Sequence, residues 1–159
     1  MAPTEHAAPT QEVGASVPEA IARYCAASSA GDVEALMATL AADAELVSPL
    51  SGRMVFRGAE DLRILLGAIY STLSELRWGE PIGHAQRIAV IGECRVGGLR
   101  LDDAMVFELD AGGLITRVRP HLRPWLSTTA LALALGPKIA GHPGVVLRAL
   151  RAHSAAARV

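Results

Sequence analysis

Between residues 99 and 109 the sequence LRLDDAMVFEL alternates so as to isolate one acid. One parity reads Leu99, Leu101, Asp103, Met105, Phe107, Leu109, and the other reads Arg100, Asp102, Ala104, Val106, Glu108. In a half-buried strand the first set faces the core, which puts the Asp103 carboxyl in an apolar row. Ionised and unpaired there, it would cost several kcal/mol. It must therefore pair with a cation, accept several donors, or keep its proton with a raised pKa. A neutral acid in an apolar pocket is a hydrogen-bond donor, which suits a developing oxyanion. The plainer reading is an acid near a sheet edge that reaches a backbone amide or an arginine. A bulge would exchange it with Asp102.

Other reactive side chains have bland readings. Ile88, Val90, Gly92, Cys94 and Val96 share one parity, so Cys94 is a small buried residue and not a nucleophile. Gly92 leaves room on that inward face for a ligand or a bend. Glu45 falls on the solvated parity of its strand, and His84 sits at a strand end. Tyr24 reads as a core-edge tyrosine with its hydroxyl at water. His6, His84, His121, His142 and His153 are too scattered to suggest a metal site. Cys25 and Cys94 are too few for a disulfide scaffold and share no metal-ligand spacing. Gly97-Gly98 and Gly112-Gly113 read as turns, not phosphate cradles.

The elements that must position Asp103 follow from periodicity. Ser16-Val17-Pro18-Glu19 has the form of a capping box opening a helix, with Ala20, Ile21, Tyr24, Cys25 and Ser28 on one stripe and Gly31 at its end. Asp32 caps a second short helix bearing Val33, Leu36, Met37 and Leu40. Residues 44–48 alternate as a strand, Pro49-Leu50-Ser51-Gly52 turns, and 54–57 returns. Gly58 opens a third helix carrying Leu62, Leu65, Leu66, Ile69, Tyr70 and Leu73. Beyond it the period becomes two, predicting strands over 76–84, 88–96, 99–109 and 114–122. Gly97-Gly98 makes a two-residue hairpin. Helices followed by an antiparallel meander give a segregated α+β fold, a curved antiparallel sheet wrapped around three N-terminal helices.

The chain has 159 residues, 51% hydrophobic and only 4% aromatic, with a net charge of −1. That length argues for one domain with a core of aliphatic residues. The balanced charge excludes the strong footprint of a nucleic-acid binder. Residues 1–15 read as a disordered tail, 16–122 as the domain, and 123–159 as a C-terminal helical extension. Its most apolar stretch, WLSTTALALAL over 125–135, is too short to span a membrane and should stop at Gly136-Pro137. It would dock on the domain or a partner subunit, cap a pocket, or touch a membrane surface. With no secretory leader, the expected setting is the cytoplasm.

Residues 17–122 resemble the nuclear-transport-factor-2-like superfamily, in particular its SnoaL-like polyketide cyclase and ketosteroid isomerase branch. The resemblance is carried by Ile21 to Ala27, Ala30-Gly31-Asp32, Ala41 to Ala44, Phe56-Arg57-Gly58 and Asp103-Ala104-Met105-Val106-Phe107. It implies a cone-shaped α+β barrel. In ketosteroid isomerases a tyrosine of the first helix and a strand aspartic acid donate to the substrate oxyanion; Tyr24 and Asp103 occupy those positions. The family's general base is an aspartate before a proline, and here that place holds Ser48, before Pro49. A serine has no proton-accepting capacity at neutral pH without its own base.

The family's spacing turns Arg117, Arg119 and His121 toward the pocket, where an imidazole would suit proton transfer. Hydrophobic parity instead puts Leu114, Val118 and Leu122 inside. In that case Arg117 and Arg119 lie outside, beside Glu108 and Asp102.

The resemblance therefore implies a cofactor-independent isomerase, cyclase or hydrolase acting on an apolar small molecule, with Tyr24, Asp103 and His121 catalytic. Ser48, Met54, Leu66, Met105, Phe107 and Arg119 would bind the substrate, of polyketide, terpene or steroid size. Limonene epoxide hydrolases share the fold, but Arg119-Pro120-His121 lacks the second acid of their Asp-Arg-Asp arrangement. The alternative is a non-catalytic ligand-binding or scaffold module. A homodimer is expected either way, with no metal, nucleic acid or membrane partner.

Overall fold

Apolar residues at helical spacing build the inner layer. In α1 (Glu19–Ala30) the stripe Ala20, Ile21, Tyr24, Ala27 and Ser28 is buried. The computed structural model describes residues 17–51 and 53–156, so the 1–15 tail and the Ser16 capping position lie outside the described residues. Within them, Pro18 stands at the N-cap without a side-chain cap, and its carbonyl accepts from Ile21 and Ala22. A second helix, α2 (Val33–Met37), is capped as expected, with Asp32 accepting the Ala35 N–H at 3.0 Å. In α3 (Ala59–Tyr70), Leu62, Leu65, Leu66 and Tyr70 are buried.

Eight strands form one sheet: β1 (Leu40–Val47), β2 (Val55–Arg57), β3 (Ser74–Trp78), β4 (Ile82–His84), β5 (Arg87–Val96), β6 (Leu99–Leu109), β7 (Ile115–Arg119) and β8 (Leu122–Arg123). The order is β2-β1-β7-β6-β5-β3, with β4 also on β5 and β8 also on β6. The sheet is mixed: β1 runs parallel to β7, and the other pairs are antiparallel. It is curved and open, a cone with helices at both ends.

Two expected strands are broken, each at a proline, which has no N–H to give to a ladder. The run 76–84 splits at Gly79-Glu80-Pro81 into β3 and β4, and 114–122 splits at Pro120-His121 into β7 and β8. Both pieces of the second pair on the same edge of β6, β7 at Val106–Leu109 and β8 at Asp102 and Asp103. The β5–β6 hairpin turns at Gly97-Gly98, whose φ values of 54° and 82° suit a two-residue turn that glycine adopts without strain.

The C-terminal extension is two helices, α4 (Trp125–Ala140) and α5 (Pro143–Ala156). Gly136-Pro137 does not stop α4. Pro137 stands in its last turn, and the carbonyl it cannot serve belongs to Leu133, which is 73% exposed and open to water. Leu131 and Leu135 of α4 form a second apolar cluster with Cys94, Val96 and Leu101. The exposed Arg148 of α5 holds the buried Asp61 of α3 by two hydrogen bonds, at 3.0 and 2.5 Å. Among the described residues no single helix is long and apolar enough to cross a membrane.

Candidate functional site

A cavity of about 210 Å³ lies between the inner face of the sheet, α3 and the C-terminal helices. Its wall is aliphatic except for a few side chains, chiefly Ser48, Tyr70, Trp78 and Asp103. Leu131 and Leu135 of α4 line one side, so the extension closes the space the sheet leaves open.

Asp103 sits on the inner face of β6, opposite Gly92 on β5 and Leu122 on β8, and is only 7% exposed. The break at Pro120 supplies its partner. The Ala104 N–H donates to the His121 carbonyl, while the His121 N–H turns to Oδ1 of Asp103 at 2.9 Å. Both readings of the sequence thus meet in one residue: the acid is enclosed by apolar neighbours, and it accepts a backbone amide. Burial pushes its carboxyl up to about 6, against a smaller downward pull from the His121 amide and ring. Among the described residues no protein donor reaches Oδ2, and no sealed side-chain oxygen lacks a partner, so Oδ2 keeps contact with open space.

Tyr24 is fully buried and does not border the cavity. Its hydroxyl lies 2.9 Å from that of Tyr70, and its ring meets Phe107 edge-on at 5.0 Å. The phenol that does reach the cavity is Tyr70, at the end of α3. Burial raises both phenols, and the nearby Asp103 charge raises them further.

His121 is placed differently from the pocket reading. From Val118 onward, residues 118, 120 and 122 turn inward while 119, 121 and 123 turn outward. Hydrophobic parity therefore holds for Val118 and Leu122 but not for Leu114, which is 40% exposed while its neighbour Ile115 is buried, and the family spacing fails for Arg119 and His121. The exposed His121 ring sits outside the cavity, its Nδ1–H donating to the Ala104 carbonyl at 3.0 Å. Arg119 is also outside, 4.0 Å from Glu108. Arg117 is bound to Glu45, which also accepts from Arg57. Burial works to raise the Glu45 carboxyl, but the hydrogen bonds from Arg117 and Arg57 outweigh it and hold the group below its usual range.

Of the other expected binding residues, Met54 and Met105 line the cavity, whereas Leu66 and Phe107 are packed in the core behind it. Ser48 borders the cavity, its Oγ accepting the Leu50 N–H at 3.2 Å, a turn-forming role. His84 is exposed at the end of β4. The Cys94 thiol is pushed up to about 11 by burial, with a smaller push from Asp103, and donates to the Leu101 carbonyl. Among the described residues no group of three His, Cys, Asp or Glu is placed to hold a metal.

Sequence reasoning missed Tyr70 and Trp78. The Trp78 Nε1–H donates to Ser28 Oγ at 2.9 Å, and its ring occupies the room beside Gly92, where an added Cβ would lie 2.7 Å from it. The vacancy at Gly92 thus belongs to a tryptophan. A tyrosine in the buried stripe of α3 was the available signal for Tyr70, since an enclosed hydroxyl needs a partner.

This chain belongs to the SnoaL-like domain family, whose pattern matches residues 21–118. Solved structures show the same fold. An uncharacterized bacterial protein with a cystatin-like fold from Silicibacter pomeroyi is 24% identical, with a TM-score of 0.77 over 84% of this chain and 95% of that one. A steroid delta-isomerase from Pseudomonas aeruginosa is 20% identical, with a TM-score of 0.70 over 79% and 92%. SalBIII, an epoxide hydrolase/cyclase-like enzyme of pyran ring formation in the polyether salinomycin, is 19% identical, with a TM-score of 0.58 over 69% and 91%. No curated protein matches the chain.

Proposed function

We propose that this protein is a cofactor-independent enzyme that moves a proton on a small apolar carbonyl compound, with Asp103 as the acid–base group. The observation that carries this reading is a carboxyl at about 6 bordering an apolar cavity, with one oxygen fixed by a backbone amide. General bases work best when their pKa lies near the operating pH. At pH 7 such a carboxyl is mostly ionised, which suits it to taking a proton better than to donating a hydrogen bond. In this reading Oδ2 removes a proton from the carbon beside the carbonyl, and the electron pair moves onto the carbonyl oxygen. The Tyr70 O–H, its own oxygen held by the Tyr24 O–H, donates to that oxygen. Return of the proton from Asp103 to another carbon completes an isomerisation.

The cavity favours a single ring or a short chain. At about 210 Å³ it falls below the roughly 300–1,000 Å³ of common ligand pockets, so four fused rings would require α4 to move. The likeness to a steroid delta-isomerase and a cyclase-like enzyme is consistent with proton-transfer chemistry on this fold, though a fold alone does not fix function. The test is the conversion of cyclohex-3-enone to its conjugated isomer, followed by ultraviolet absorbance. Wild type should accelerate it, and Asp103→Asn should lose at least about 100-fold. Equal rates for the two would remove Asp103 from the chemistry.

A second reading, a binding module without turnover, draws support from Ser48, which stands where the family has its base and is held by the Leu50 amide. Its signature would be saturable binding of cyclohexenone with no isomerisation.

A further inference from the structure

The cavity has a neighbour on the other side of the sheet. A surface groove runs over the outward faces of β1, β6, β7 and β8, and five residues border both spaces: Ser48, Pro49, Asp103, Pro120 and Leu122. They lie along one seam. β1 ends at Val47, and β8 pairs only with β6, so no ladder joins Ser48-Pro49 to Pro120–Leu122. The β7–β8 edge alternates across this seam, with Pro120 and Leu122 on the cavity and Arg119, His121 and Arg123 on the groove.

The groove's cations are unequally committed. Arg117 is held by Glu45 at 2.8 Å. Arg119 is 45% exposed and only 4.0 Å from its nearest carboxylate oxygen, on Glu108. Arg123 is 77% exposed and 3.5 Å from Asp102, which Arg100 also holds at 3.0 Å. Two loosely held guanidiniums thus flank the seam that the cavity and the groove share, each one residue from a wall residue. A planar guanidinium with free donors is well matched to carboxylate or phosphate oxygens.

We propose that the natural ligand is an amphiphile, with its apolar body in the cavity and an anionic head, carboxylate or phosphate, on Arg119 and Arg123 outside the Ser48–Pro120 seam. This rests on the reading of the cavity as a ligand site and adds the polarity and orientation of what enters it. The head stays in water, so its charge is not desolvated, while Asp103 meets the ligand inside. Arg119 and His121 thereby acquire a place at the site from the groove side.

The test uses Trp78, which lines the cavity, as its reporter, in protein carrying Trp125→Phe to silence the other, exposed tryptophan. Decanoate, decyl phosphate and 1-decanol share one chain and differ in head. At low salt the two anions should bind about five- to tenfold more tightly than the alcohol, the size expected of exposed ion pairs. The preferred anion identifies the head. The advantage should vanish with Arg119→Gln plus Arg123→Gln, and shrink in about 0.5 M salt, while decanol affinity stays unchanged. Equal affinity for all three, or an anion preference surviving the double substitution, would overturn the proposal while leaving the cavity reading intact. If no probe alters Trp78 emission, the cavity reading falls and this proposal falls with it.

Discussion

The backbone N–H of His121 donates to Oδ1 of Asp103 at 2.9 Å, while the His121 ring points away from the cavity that Asp103 borders. One residue thus fixes the acid with its main chain and withholds its imidazole. The geometry follows from Pro120, at which the strand breaks, leaving the next N–H free to find a side chain in place of a β6 carbonyl. The carboxyl is left with one oxygen satisfied, the other without a protein donor, and, among the described residues, no guanidinium or ammonium paired with it.

Such an acid should cost stability at neutral pH. Its folded pKa, about 6, lies above the ordinary 3.8, so between those values the folded chain holds more protons than the unfolded one. Stability therefore falls as pH rises from about 4 to about 6, then levels. The difference corresponds to about 3 kcal/mol at most. Asp103→Asn keeps an acceptor for the His121 amide and removes the charge. By denaturant unfolding it should match wild type at pH 4 and exceed it by about 1–3 kcal/mol at pH 8. A gap that does not change with pH would contradict this.

The parity of 99–109 made Asp103 legible, because strict alternation leaves one face for an acid to be wrong on. The β5–β6 hairpin was legible for the same reason, and the three N-terminal helices from apolar residues recurring at the 3.6-residue period. Tyr24 and Tyr70 were not: their pairing depends on how α1 and α3 pack, which no local period encodes. The side of His121 was not legible, because the family's spacing and the pattern Val118, Leu122 point opposite ways and the break at Pro120 sets the orientation. The continuation of α4 through Pro137 was hidden because a proline in a last turn can leave its orphan carbonyl to water.

Removing either phenol of the Tyr24–Tyr70 pair should strand the other. Tyr24→Phe and Tyr70→Phe should each destabilise by about 1–2 kcal/mol, and the double variant by less than their sum, since no orphan hydroxyl then remains. Thermal or denaturant unfolding of the four proteins measures this coupling. If the reading of Tyr70 as donor holds, Tyr70→Phe should also lower kcat with little change in KM.

Gly92→Ala would place a Cβ 2.7 Å from the Trp78 ring. The ring must shift, breaking its bond to Ser28, and the expected cost is about 1–3 kcal/mol with a change in tryptophan emission. Trp78→Leu in the same chain should recover part of the loss. An unchanged spectrum and stability for Gly92→Ala alone would refute the packing described.

The two hydrogen bonds from Arg148 to the buried Asp61 pin α5 to α3. Arg148→Ala should raise amide hydrogen exchange across 143–152 while leaving β5 and β6 as protected as before. Exchange equal to wild type in α5 would mean that its apolar contacts suffice.

The central claim is that the Asp103 carboxyl titrates far above the usual aspartate range because it is enclosed beside the cavity. Carboxyl-carbon NMR of aspartate-labelled protein, with the Asp103 signal assigned by its loss in Asp103→Asn, measures this directly. A midpoint near 6 is the predicted result; a midpoint at or below about 4, the value of an aspartate in water, would contradict it.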